Sequence, residues 1–129
     1  MDRSKTGYQK LNNIMQKTID SSISKNPIKT PCFILFISSS CAPCKIVKKR
    51  LESISKQFDD VTIYVIDIHK YPDIVQHYDV RSIPNCLTLD ETGKTLRREI
   101  GQKPVAIYES MLSALSIKSI TASKRLLGF

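Results

Sequence analysis

One apolar run, Cys32-Phe33-Ile34-Leu35-Phe36-Ile37, constrains the fold of this chain more than any other feature. Six successive apolar residues lack the alternation of a half-exposed strand, so they suit a strand covered on both faces. Pro31 introduces the run. From Pro43 to about Phe58, Val47, Leu51, Ile54 and Phe58 then recur at helical spacing, with lysines on the opposite side. Asp59-Asp60 breaks that pattern, and Val61-Thr62-Ile63-Tyr64-Val65-Ile66 is β-branched and strand-like. Strand, helix and strand in this order predict a right-handed βαβ unit with a parallel pair.

The rest of the chain extends that unit. Leu11, Ile14, Met15, Thr18, Ile19, Ser22 and Ile23 predict a helix from Tyr8 to about Ser24, ended by Asn26-Pro27. A short helix is expected over Pro72 to Tyr78. The runs Asn85 to Leu89 and Thr95 to Ile100 flank the turn Asp90-Glu91-Thr92-Gly93-Lys94 and read as a β-hairpin. Pro104 opens a last helix that buries Val105, Tyr108, Met111, Leu112 and Leu115. The order α-βαβ-α-ββ-α is an α/β fold: a central mixed sheet with helices on both faces. The 129 residues suffice for one domain with its own core. It divides into an N-terminal helical extension (1–29), a core (30–116) and a basic tail or helix extension (117–129).

The net charge of +8 is unevenly spread, with ten Lys/Arg against two Asp/Glu in residues 1–50 and six against nine in residues 51–100. A basic half suits acidic protein partners, nucleic acid or a solvated face. The aromatics and Gly-rich loops that usually accompany nucleic-acid binding are missing among these basic residues, which argues against that partner. The run Cys32 to Ile37 is far too short to span a bilayer. Met1-Asp2-Arg3-Ser4-Lys5 leads into polar sequence without an apolar signal core, so a cytoplasmic protein is expected, with no membrane partner.

The chemistry points to Cys41-Ala42-Pro43-Cys44. Two thiols two residues apart can close a small disulfide ring. A helix N-terminus with free amide donors stabilises a thiolate on the first of them, and Lys45, Lys48, Lys49 and Arg50 push the same way. Two rivals stand beside redox exchange. A zinc site normally needs two further ligands, commonly as a second close pair, yet Cys32, Cys86, His69 and His77 are isolated in sequence. A purely structural disulfide would gain little, because so small a ring restrains little chain entropy. Cys32 and Cys86 lie in apolar segments and read as buried small hydrophobes.

On two motifs the chain resembles the thioredoxin family. Cys41-Ala42-Pro43-Cys44-Lys45 resembles its Cys-Gly-Pro-Cys-Lys, and Tyr78-Asp79-Val80-Arg81-Ser82-Ile83-Pro84 resembles the segment ending in its cis-proline. The resemblance spans roughly residues 30–116. It implies a thioredoxin-like fold and a thiol–disulfide oxidoreductase that needs no metal or bound cofactor. Cys41 would be the attacking thiolate and Cys44 the resolving thiol. Ala42, Pro43, Lys45, Ile83 and Pro84 would support them, Pro84 lying against the disulfide after a cis Ile83–Pro84 bond. The implied partners are protein disulfides and a thiol reductase or other thiol electron donor, acting on a monomer. There are departures. Ser40 stands where the family carries Trp, Ala42 where it carries Gly, and Leu35 where it buries an acid whose Lys partner aligns near Ile63. Lys49 lies near its kinking proline. The family's first strand is not evident. The alternative from another class is a thioredoxin-fold adaptor for acidic partners or nucleic acid, with the dithiol incidental.

Overall fold

The computed structural model describes residues 28–117. The helix expected from Tyr8 to Ser24 and the tail from residue 118 lie outside the described residues. Within them the elements are β1 (Cys32–Ile37), α1 (Ala42–Ser55), β2 (Ile63–Asp67), α2 (Pro72–His77), β3 (Asn85–Leu89), β4 (Thr95–Ile100) and α3 (Val105–Leu115). The hairpin strands have the limits expected of them. The long helix does not: α-helix stops at Ser55, and Lys56–Phe58 continue as a 3-10 turn that still buries Phe58.

The four strands lie in the order β2-β1-β3-β4. The pair β1–β2 is parallel, as a βαβ crossover requires, and places Leu35 beside Val65. The pairs β1–β3 and β3–β4 are antiparallel, so the sheet is mixed, and Leu35 faces Cys86 on its other side. An irregularity between Thr88 and Leu89 shifts the β3–β4 register near the turn.

Strand alternation divides the apolar residues between two layers. Phe33, Leu35, Ile63, Val65 and Cys86 meet Val47, Leu51 and Ile54 of α1 and Tyr108, Met111 and Leu112 of α3. Cys32, Ile34, Phe36, Tyr64, Ile66, Leu87 and Leu89 meet Tyr71, Ile74 and Tyr78 around α2. The continuous apolar run of β1 therefore follows from helices on both faces. Burying a large apolar side chain contributes about 1.5–3 kcal/mol, and five of the six residues of β1 are buried. None of the helices among the described residues is long and apolar enough to cross a membrane.

Candidate active site

The site forms where β1 ends and α1 begins. After Ile37 the chain turns: the Cys41 amide donates to the Ser38 carbonyl at 3.2 Å, and the Ser38 and Ser40 hydroxyls lie 3.2 Å apart. Cys41 then takes the N-cap position with extended backbone (φ −93°, ψ 108°). Its sulfur occupies the place of a capping oxygen, accepting the Cys44 amide at 3.2 Å. Pro43 lies in the first turn, where its missing N–H costs no helix hydrogen bond.

Cys41 and Cys44 are joined as a disulfide with their Cα atoms 5.2 Å apart. The two sulfurs differ in access. Cys41 is half-buried and Cys44 is only 1% exposed. Ala42, Pro43 and Lys45 are exposed around the ring. Beside Cys44 lies a cavity of about 280 Å³ lined by Ile37, Ser38, Ser39, Cys44, Lys45, Lys48 and Asp67. Asp67, at the end of β2, had no sequence signal to mark it. It comes here because β2 runs parallel to β1 in register with Ile37, and its Oδ1 accepts the His69 amide at 2.9 Å.

The Ile83–Pro84 peptide bond is cis, as is Thr30–Pro31. Pro84 is buried, and Ile83 is partly exposed. The Gly101 amide donates to the Pro84 carbonyl at 2.8 Å, fastening the start of β3 to the end of β4. Gly101 holds φ +86°, a backbone region that favours glycine. Asn85, next in sequence, is 1% exposed, with its side-chain amide engaged on both ends.

The basic cluster is divided by the fold. Lys45 and Lys48 face the cavity and Lys49 is exposed, whereas Arg50 donates to the Lys103 carbonyl at 2.7 Å and ties α1 to the segment before α3. Cys32 and Cys86 belong to opposite layers, with the sheet between them, so they cannot complete a ligand set with each other. Burial pushes both thiols up to about 12, with the nearby Glu99 adding to the effect at Cys86. Among the described residues no group of three or more His, Cys, Asp or Glu side chains is placed to hold a metal.

A family model described as thioredoxin matches residues 10–113. The chain belongs to the thioredoxin family. A thioredoxin of Alternaria alternata is 28% identical over 78 residues, covering 60% of this chain and 65% of that protein. Thioredoxin-1 of Saccharomyces cerevisiae is 27% identical over 92 residues, covering 71% of this chain and 85% of that one. Among solved structures, oxidised mitochondrial thioredoxin 3 of Saccharomyces cerevisiae superposes with a TM-score of 0.57 at 25% identity, covering 64% of this chain and 79% of that one. The Cys41–Cys44 pair is thus the redox-active disulfide of a thioredoxin fold. At the position of the family's buried acid, Leu35 is fully buried. The residue beside it on β2 is Val65, while Ile63 pairs with Phe33 one step along the same face. Its direct strand neighbours, Val65 and Cys86, are both buried.

Proposed function

We propose that the protein is a thiol–disulfide oxidoreductase acting on disulfides of polypeptide substrates. The observation that carries this reading is the unequal access of two sulfurs on one helical turn: Cys41 half-buried at the N-cap, Cys44 enclosed behind it. In the dithiol form the Cys41 thiolate attacks one substrate sulfur. The substrate S–S bond breaks, the departing thiolate takes up a proton, and a mixed disulfide with Cys41 remains. Cys44 loses its proton and attacks the Cys41 sulfur, releasing the second substrate thiol and closing the Cys41–Cys44 ring. Two electrons have passed to the substrate, and a thiol reductase or another dithiol returns them. The N-terminus of α1 favours the thiolate on Cys41 through its amides and dipole.

Pro84 and the adjoining main chain form the second half of the site in this reading. Proline offers no amide donor, and the neighbouring backbone at Ile83 can pair with an extended substrate as an added strand. Lys45 faces incoming acidic groups, and Ala42 and Pro43 shape the exposed ring. A reducing compartment such as the cytoplasm would supply the thiol electron donor, and a monomer meets every requirement of the exchange. The adaptor reading would rest on Lys45, Lys48 and Lys49 alone, since Arg50, the fourth of the clustered cations, donates to an internal carbonyl.

The direct test is reduction of insulin disulfides with dithiothreitol as electron source. Wild type should accelerate precipitation of the reduced chains and Cys41→Ser should not. A wild type no faster than this variant removes the enzyme reading.

A further inference from the structure

The segment between α2 and β3 is held at both ends by one arginine. Arg98 lies on β4 in register with Leu87, two residues from Asn85, so its side chain rises on the face of the sheet that carries Asn85 and reaches it diagonally. Nη1 donates to the Asn85 Oδ1 at 2.9 Å, and Nη2 donates to the Tyr78 carbonyl. The Asn85 Nδ2 donates in turn to the Ser82 carbonyl at 3.2 Å. Tyr78 is where the chain leaves α2, and Asn85 is where it enters β3 after the cis bond. Between these anchors Asp79 takes a positive φ of 53°, and Arg81 and Ser82 are exposed.

We propose that Arg98 and Asn85 are positioning residues that hold the 79–84 segment in register for an extended polypeptide, and so favour polypeptide disulfides over small-molecule disulfides. The inference rests on the function proposed above, in which the backbone around Ile83 and Pro84 receives the substrate chain. A guanidinium supplies two donors in a fixed plane, which a lysine ammonium does not reproduce. Here its two bonds go to neutral oxygens, a backbone carbonyl and a side-chain amide, so they fix the path of the chain. The polar side chain of Asn85 is tolerated at 1% exposure because both of its ends are engaged. A small neutral disulfide reaches Cys41 without pairing with this segment and is indifferent to its register.

The test compares two substrates with pre-reduced protein: a disulfide-bonded polypeptide such as insulin, and neutral hydroxyethyl disulfide. Arg98→Met should raise the half-saturating insulin concentration roughly tenfold with a limiting rate within about twofold, the pattern of lost binding with unchanged chemistry. The rate with hydroxyethyl disulfide should stay within about twofold of wild type. Arg98→Lys, which keeps the charge without the fork, should fall with Arg98→Met, and Asn85→Ala should shift in the same direction. If Arg98→Met does not fold, Arg98→Lys decides. An unchanged half-saturation for insulin in a folded variant, or an equal slowing with both substrates, overturns the proposal and leaves the pair purely structural. A wild type inactive on insulin would instead defeat the proposed function, so the two failures are distinguishable.

Discussion

Cys41 and Cys44 close a ring at the start of α1, whereas Cys32 and Cys86 are sealed in the central strands on opposite faces of the sheet. All four carry the same side chain. What separates them is the company of the sulfur. At the helix start an amide donor and the partial exposure of Cys41 serve an anion; in the strands burial, joined by the charge of Glu99 at Cys86, expels a thiolate. Reactivity in this fold is therefore a property of the strand-to-helix junction, and a cysteine a few residues upstream on the same strand does not share it.

The largest expected effect breaks or upholds that division outright. Cys41→Ser should reduce insulin-disulfide turnover to the uncatalysed rate, while Cys44→Ser should accumulate substrate as a mixed disulfide on Cys41, visible by mass spectrometry under non-reducing conditions. A Cys32→Ala/Cys86→Ala double variant should keep turnover within about twofold, at a stability cost of about 1 kcal/mol for each site. Comparable loss of turnover in the double variant would end the comparison.

Next comes Leu35→Asp, which puts a carboxylate into the layer between Val65 and Cys86. An unpaired buried carboxylate costs several kcal/mol or stays protonated, so the denaturant midpoint should fall sharply. In the folded variant turnover near neutral pH should rise, since the added acid can pass a proton to and from Cys44. An unchanged rate would show that proton transfer to Cys44 does not limit exchange.

An effect confined to alkali is expected from the two buried thiols. The Cys32 and Cys86 thiols have their ordinary value of 9.0 when unfolded and are pushed up to about 12 by burial. Between these limits the unfolded chain loses protons that the folded one keeps. The stability they contribute is fully present below pH 9 and declines by about 1.4 kcal/mol per pH unit per thiol towards pH 12. Tyr64 and Tyr108, also raised by burial, add a decline of the same sign at the upper end. Denaturant melts of the Cys32→Ala/Cys86→Ala variant should show a shallower fall from pH 9 to 11 than wild type. At pH 8 iodoacetamide should label reduced Cys41 while leaving Cys32 and Cys86 untouched until the chain unfolds.

The smallest effect concerns Lys45 and Lys48. Replacing both by Gln should slow association with an acidic polypeptide disulfide about two- to threefold at low salt and leave a neutral one unchanged, because exposed charges are screened over roughly 8 Å at physiological ionic strength. Equal effects on both substrates would make these lysines a solvated face with no part in partner choice.

The strands and helices were legible in the sequence wherever burial is dictated by a neighbouring run: the double-covered β1, the stripe of α1 and the hairpin limits all followed from residue pattern. Cys41 and Cys44 were legible because their spacing and position before a helix are themselves the chemistry. Asp67 and Arg98 were not. Each acquires its place through pairing, Asp67 through the parallel register with β1 and Arg98 through the antiparallel register with β3, and in sequence both are charged residues near a strand end or edge. Asn85 could have been singled out as a polar residue inside an otherwise apolar run after Pro84. Its partner, thirteen residues on, could not.

Among the described residues β4 lies at one margin of the sheet, where its outer backbone groups form a template on which a second molecule could lay a strand. Leu96 and Ile100 are exposed near its ends, which would make such templating adhesive. Between them stand Arg97, Arg98 and Glu99, and the displaced register at Thr88 and Leu89 breaks the regularity of the ladder behind. A strand stacking edge-on against β4 would lie alongside the Arg97–Glu99 ion pair and have to match a ladder whose register is displaced. The charged middle of this strand therefore guards the molecule against edge-to-edge aggregation.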